Sequence, residues 1–257
     1  LKKNPFTFIT GVNTLFNGLL NQDAFRSLDF SNLKMALGGG MAVQDVVAAE
    51  WQKVTNSPML EAYGLSETSP AATINPVGGN HKIGTIGLPL PNTDVKIFDD
   101  NKVEVPQGEK GEIGIKGPQV MQGYWNEPEK TAESIDAEGW MHTGDIAIMF
   151  DDGYVNIVGR IKDMIIRGGE NIYPREVEEF LSSHPDIADI QVIGVPDKRY
   201  GEAVMACIIA VEGSPPTLDD VKEFCAGKIA HFKVPAHIRI VDDFPMTVTG
   251  KIRKVEM

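Results

Sequence analysis

GRIKDMIIRGGENIYPREVE (159–178) decides the fold, because the texture of the chain changes across it. Before it, from about Gly78 to Gly159, lie short β-like runs broken by Gly, Pro and Asp: GTIGLPL, TDVKIFD, GEIGIKG, IAIMF and YVNIVG. Strands so short and so regularly punctuated predict a barrel-like or small sandwich unit. After Arg160 helix and strand alternate. YPREVEEFLSSH (173–184) has Pro at the expected first helical turn and acidic residues beside it, both favourable at a helix start. IADIQVIGVP (187–196), EAVMACIIAVE (202–212) and HIRIVD (237–242) read as strands, and LDDVKEFCAGKIA (218–230) as a helix. GRIKD (159–163) is the expected boundary of this α+β unit.

Upstream of Gly78 the pattern is α/β. ITGVNTLFNGLLN (9–21) places Val12, Leu15, Phe16, Leu19 and Leu20 on one helical face. LKMAL (33–37) reads as a strand running into Gly38, Gly39 and Gly40, followed by a helix over AVQDVVAAEWQKVT (42–55). MLEAY (59–63) is the next strand and ends in YGLSETSP (63–70). A strand, a glycine turn and a helix make half of a βαβ unit, and such turns sit where ligands bind in doubly wound sheets. The expected fold class is therefore α/β and multi-domain. It comprises the end of a doubly wound α/β subdomain (1–77), a β-barrel-like subdomain (78–160) and a C-terminal α+β domain (161–257).

Composition excludes several functions. The net charge of −12 argues against a general nucleic-acid binder. The excess is uneven, with 11 Lys+Arg against 20 Asp+Glu over residues 1–155 and 13 against 16 over 156–257, so the second part can still offer phosphates a basic patch. Cys207 and Cys225 fit no metal or redox spacing and read as buried free thiols of a reducing compartment. AVMACIIAV (203–211) is the longest apolar run and is too short to span a bilayer. Lys2 and Lys3 precede no signal-like stretch, and the chain opens at Leu1 in mid-pattern, as part of something longer would.

Polar side chains cluster in the glycine-rich loops, where sites are usually mounted. In YGLSETSP, Tyr63 offers an aromatic face, Ser66 and Thr68 offer hydroxyls, and Glu67 offers a hard oxygen suited to Mg²⁺. In HTGD (142–145) Asp145 follows a Gly turn, where it can accept hydrogen bonds from both hydroxyls of a ribose, or simply bond its own backbone. Arg160, at a strand end, could face the same ribose. Lys162 lies between two expected domains, as a hinge residue or a solvated linker lysine. RGGEN (167–171) is a mobile loop or a plain surface hairpin. In TGKIRK (249–254) Lys251 follows Gly250, so its ammonium can be delivered on an extended arm to a phosphate and a carboxylate together. A basic tail has the same composition.

In order, these motifs resemble the acyl-adenylate-forming superfamily of AMP-binding enzymes, which holds acyl-CoA synthetases, amino-acid adenylation domains and luciferases. TGVNTLFNGLLN, LGGGMAV, GPQVMQGYWNEPEKT, GWMHTGDIA, GRIKDMIIRGGENIYPREVE and VIGVPDKRYGE are most similar to the C-terminal portion of a bacterial medium- or long-chain fatty acid:CoA ligase. The likeness spans essentially the whole chain.

The resemblance implies substrates and roles. A fatty acid, ATP and CoA would be the substrates, with Mg²⁺ on Glu67. Gly38, Gly39, Gly40, Tyr63 and Gly64 would frame the adenine, Thr68 would bond the α-phosphate, and Asp145 and Arg160 would bind the ribose. Lys162 would be the hinge of a mobile C-terminal lid. Gly168, Gly169 and Glu170 would line the pantetheine tunnel, and Lys251 would bridge the adenylate's phosphate and carboxylate oxygens. A cytoplasmic enzyme is implied, with peripheral association at the inner face of the membrane compatible with it. Oligomeric state is not legible. The family's phosphate loop, rich in Ser, Thr and Gly and ending in Lys, does not occur between Leu1 and Met257, so the chain by itself is expected not to adenylate. Other expectations left open are an aryl- or short-chain acyl-CoA ligase and a non-catalytic nucleotide- or acyl-binding relative.

Overall fold

In the computed structural model, which describes Leu1 and residues 3–248 and 250–257, the chain divides into two units, Leu1–Ile157 and Val158–Met257. Lys2 and Thr249, the latter opening the TGKIRK motif, lie outside the described residues.

The first unit begins with β1 (Phe8–Gly11), α1 (Asn13–Leu20), α2 (Asp23–Arg26), β2 (Met35–Gly38), α3 (Asp45–Thr55), β3 (Met59–Tyr63), β4 (Thr73–Ile74) and β5 (Leu88–Pro89). The strands form one sheet in the order β1-β2-β3-β4-β5, parallel through β3 and antiparallel beyond it. The helix expected from Ile9 starts only at Asn13, because Ile9 and Thr10 pair with Ala36 and Leu37. Their branched Cβ atoms favour that extended backbone. The expected helical face is met in part, since Leu15, expected on it, is exposed. Phe16 and Leu20 of α1 pack with Val47, Ala48 and Trp51 of α3 over Ala36 and Met59 of the sheet. Trp51 is fully enclosed, edge-on to Phe16 with ring centroids 5.0 Å apart.

The second sheet of this unit contains β6 (Asp94–Phe98), β7 (Lys110–Lys116), β8 (Met141–Met149) and β9 (Val155–Arg160), with α4 (Pro128–Ser134) between β7 and β8. Its order is β6-β7-β8-β9, an open meander. The barrel-like subdomain is thus a four-stranded sheet that does not close among the described residues. GTIGLPL, expected among its strands, supplies only Leu88–Pro89, and those pair with β4 of the first sheet. Proline at residue 89 suits that edge position, since it cannot donate to a further strand. The division between units falls within β9.

The second unit holds β10 (Ile165–Arg167), β11 (Glu170–Ile172), α5 (Pro174–Leu181), β12 (Ile187–Asp197), β13 (Gly201–Ala210), α6 (Leu218–Cys225) and β14 (His237–Ile240). The sheet order is β11-β10-β13-β12, with β14 parallel to β13. The continuous apolar run of β13 has two buried faces. Val204, Ala206 and Ile208 pack with Val177 and Leu181 of α5 and Val221 of α6, whereas Met205 and Cys207 pack with Phe244, Val241 and Ile252. That is why the strand does not alternate polar with apolar. α6 opens on a reciprocal cap, Thr217 Oγ1 accepting the Asp220 amide at 3.2 Å and Asp220 Oδ2 accepting the Thr217 amide at 2.8 Å. It ends at Cys225, short of the expected Ala230, and the chain turns at Gly227 with φ +69°.

Candidate functional site

Glycines bring the loops after β2 and β3 together at the carboxyl ends of parallel strands. Gly38 closes β2 in register with Glu61, and its neighbour Gly39 donates to the carbonyl of Gly11 at 3.1 Å. A Cβ on Gly39 would lie 3.3 Å from the carbonyl oxygen of Ala62, so the glycine turn abuts the residue before Tyr63. Gly64 is held closer still. A Cβ there would fall 1.8 Å from the carbonyl oxygen of Pro70, which only glycine permits.

The remainder of YGLSETSP is a 3-10 turn over Ser66–Thr68. Thr68, expected to meet a phosphate, is fully buried, and its hydroxyl accepts the Leu65 amide at 2.9 Å and donates to the carbonyl of Pro70 at 2.8 Å. It is a strut within the loop. The exposed hydroxyl of the turn is that of Ser66. Glu67 is half-buried and accepts the phenol of Tyr124 at Oε1, 2.8 Å away, while its carbonyl accepts the Met121 amide at 2.8 Å. That hydrogen bond, together with burial, pushes the Tyr124 phenol above its ordinary value.

HTGD is not a loop. It lies inside β8, where Glu112 pairs with Ile146 and Gly114 with His142, leaving Thr143, Gly144 and Asp145 opposite Ile113 alone. Bulges of this kind re-aim a side chain. Three hydrogen bonds fix it: Thr143 Oγ1 to the carbonyl of Ile113 (2.9 Å), the Gly144 amide to Oε1 of Glu112 (2.7 Å), and the Asp145 amide to Thr143 Oγ1 (3.1 Å). Asp145 is 3 % exposed, and its Oδ2 accepts the phenol of Tyr63 at 2.6 Å. Tyr63 and Asp145, 82 residues apart, thereby join the first sheet to the second. Beneath the bulge, His142 sits between Asp136 and Glu112. Burial pushes the Asp136 carboxyl up, but amides of Trp140 and Glu138 and the imidazole overcome it, and the net direction is below the usual carboxylate value.

Tyr124, Glu112 and His142 escaped the sequence reading. GYW and GEIGI give no local sign that Tyr124 meets Glu67 or that Glu112 meets Gly144, because both contacts are made by the fold.

In the second unit Arg160 ends β9, and Lys162 lies exposed in a 3-10 turn over Ile161–Asp163. RGGEN is the tip of the β10–β11 hairpin, with Arg167 opposite Glu170 and a two-residue turn, Gly168 (φ +62°) and Gly169 (φ +90°). Positive φ at both central residues is the turn that matches strand twist. Gly168, Gly169 and Glu170 are exposed. Lys251, also exposed, is held not on an extended arm but in a tight turn. Its carbonyl accepts the Thr247 amide at 2.8 Å, and Met246 bridges Ile252. Ile252 packs on the Met205–Cys207 face of β13, whereas the hairpin's Ile165 and Ile172 belong to the cluster on the other face.

The fold and these loops define the class of AMP-binding enzymes. The family model for AMP-binding enzyme matches residues 1–125, and that for the AMP-binding enzyme C-terminal domain matches 176–251, so the chain belongs to this family. It is 46% identical to the long-chain-fatty-acid–CoA ligase of Escherichia coli O6:H1, across all of this chain and 46% of that protein. With mouse mitochondrial medium-chain acyl-CoA ligase ACSF2 it shares 41% identity, over all of this chain and 42% of the relative. ATP-bound MatB from Rhodopseudomonas palustris superposes with a TM-score of 0.92 at 33% identity, over 97% of this chain and 50% of that one. The chain therefore spans about half the length of the relatives it matches.

Proposed function

We propose that this chain is part of an AMP-forming fatty acid:CoA ligase and supplies the groups that hold the acyl-adenylate and bring CoA to it. The observation that carries the reading is the 2.6 Å hydrogen bond between Tyr63 and Asp145, which couples the adenine-facing loop to the ribose-facing bulge. Gly38, Gly39, Gly40, Tyr63 and Gly64 frame the adenine, and Asp145 and Arg160 take the ribose hydroxyls. Ser66 presents the hydroxyl for the α-phosphate, with Thr68 bracing the loop from within.

Mg²⁺ fits this arrangement. No group of three or more His, Cys, Asp or Glu gathers as a metal cage among the described residues, but Mg²⁺ ordinarily takes one or two carboxylates and completes its shell with substrate phosphates and water. Glu67 is that carboxylate, oriented by Tyr124. The bound ion would offset charge on phosphate oxygens.

A fatty carboxylate is a poor acyl donor because its leaving group would be oxide. Its oxygen attacks the α-phosphorus of ATP, the bond to pyrophosphate breaks, and a mixed anhydride forms whose leaving group is AMP. The thiolate of CoA then attacks the acyl carbon and AMP departs. The ammonium of Lys251 stabilises the negative charge that gathers in the first step. Gly168, Gly169 and Glu170 line the path of the pantetheine in the second. Lys251 and the hairpin are anchored to opposite faces of β13, which supports a lid that presents them in turn about Lys162. The substrate class suits a cytoplasmic enzyme that meets the inner face of the membrane peripherally; no helix among the described residues is long and apolar enough to cross a membrane.

The test is CoA-dependent AMP formation by the full-length protein across fatty acids of increasing length, with Lys251→Ala and Gly169→Leu beside wild type. Loss of adenylation in the first, and of thioester formation alone in the second, is expected. Pyrophosphate release from ATP by the 257-residue chain alone, above a Lys251→Ala control, would contradict the expected dependence on the absent phosphate loop. Silence of the full-length protein with every fatty acid would leave a binding module or a ligase for another acid.

A further inference from the structure

Two carboxylates face the buried imidazole of His142, and one of them holds the bulge that presents Asp145. Nε2 lies 3.1 Å from Oδ2 of Asp136 in hydrogen-bonding geometry. Nδ1 lies 3.3 Å from Oε2 of Glu112, yet it is enclosed and makes no hydrogen bond. The other oxygen of Glu112 accepts the Gly144 amide at 2.7 Å, and Gly144 immediately precedes Asp145. From β6 the ring of Phe98 meets the imidazole, at 5.4 Å between centroids. The cations Lys96 of β6 and Lys116 of β7 lie over the ring of Trp140.

A neutral imidazole has one donor and one lone pair. With its proton on Nε2 toward Asp136, the lone pair of Nδ1 faces a carboxylate oxygen of Glu112. The other tautomer turns a lone pair on Asp136 instead. Only the imidazolium offers each carboxylate a proton.

We propose that His142 is a positioning residue: bridging Asp136 and Glu112, it sets Glu112 against the Gly144 amide and so fixes the Asp145 bulge, more firmly when the imidazole is protonated. The ligand half of this inference rests on the reading of Asp145 as a ribose acceptor; the coupling within the protein does not. The sign follows from the lone pair. Without that proton Nδ1 turns a lone pair on Glu112, the hydrogen bond that the Gly144 amide donates to Glu112 loosens, and nucleoside affinity falls, so a pH dependence would run towards weaker binding at high pH.

The experiment follows the Gly144 amide and the His142 ring protons of this chain by NMR from about pH 5 to pH 8, the range in which imidazoles titrate. Adenosine affinity is measured by calorimetry over the same range, adenosine being chosen because it carries no phosphate to titrate. His142→Gln keeps a side-chain donor without a proton to lose; His142→Leu removes the bridge. Wild type should show the Gly144 amide shifting with the His142 ring, and adenosine binding weakening several-fold towards high pH. In His142→Gln both pH dependences should vanish while the chain stays folded, and His142→Leu, if folded, should bind weakly throughout. A Gly144 amide indifferent to the His142 titration overturns the proposal, as does a pH dependence that survives in His142→Gln. Coupled titration of Gly144 and His142 without adenosine binding supports the positioning role and removes the ribose reading instead.

Discussion

Within one turn of three residues, Thr68 is fully buried with its hydroxyl between Leu65 and Pro70, and Ser66 is exposed. The two hydroxyls should separate in mutagenesis. Thr68→Val leaves the Leu65 amide without its acceptor, and an unsatisfied buried group costs about 1–3 kcal/mol, read as a fall in stability in urea unfolding. Ser66→Ala removes an exposed hydroxyl and should shift stability by no more than about 0.5 kcal/mol. Its effect belongs in turnover of the full-length protein, as a loss of adenylation. If Thr68→Val instead unfolds like wild type and abolishes adenylation, Thr68 and not Ser66 meets the phosphate.

The β10–β11 hairpin carries the same reasoning up to an element. Both turn glycines have positive φ, but a Cβ on Gly169 meets open space, whereas one on Gly168 meets the Tyr200 ring at 3.1 Å. Gly169→Ala should therefore cost only left-handed strain, about 1–2 kcal/mol, and Gly168→Ala more, in paired urea titrations; equal costs would show that the Tyr200 ring moves aside freely. A hairpin was one of the two readings that RGGEN left open, and its Gly-Gly pair supplies the positive φ that both central positions need; MLEAY was legible as β3, being short, mostly apolar and bounded by turns. Other elements gave too little signal. α4 buries no residue, so NEPEKTAES has no apolar period to read. Residues 9–11 fall inside the stretch expected as helix and pair as strand β1, because a parallel neighbour outweighs local spacing. HTGD looks like a turn by composition and becomes a bulge only because Glu112 and Ile113 lie opposite it. The site divides in the same way. Tyr63, Glu67 and Asp145 stood out as residues of unusual chemistry in glycine-rich settings, whereas Tyr124, Glu112 and His142 matter through contacts across 57, 32 and 30 residues that no local pattern encodes.

At the scale of the molecule, the intrinsic probes fall on different units. Trp51, Trp125 and Trp140 all lie in Leu1–Ile157, and Cys207 and Cys225 both lie in Val158–Met257. Trp51 and Trp140 are buried and Trp125 is exposed, so the change in tryptophan emission on unfolding comes from the first unit's core. Both thiols are fully enclosed, in separate clusters, and burial pushes each above the usual thiol value, so neither presents a reactive thiolate in the native state. An aromatic disulfide reagent should label neither at neutral pH until the second unit opens. Each unit owns a hydrophobic core, the condition for folding as a separate domain. Along a urea gradient, the tryptophan transition and the onset of thiol labelling should therefore have different midpoints. Probes that fail to coincide mark a departure from two-state unfolding. Coincident curves, by contrast, would mean that the two units unfold as one cooperative block, and a lid that swings about Lys162 would then need a different physical basis.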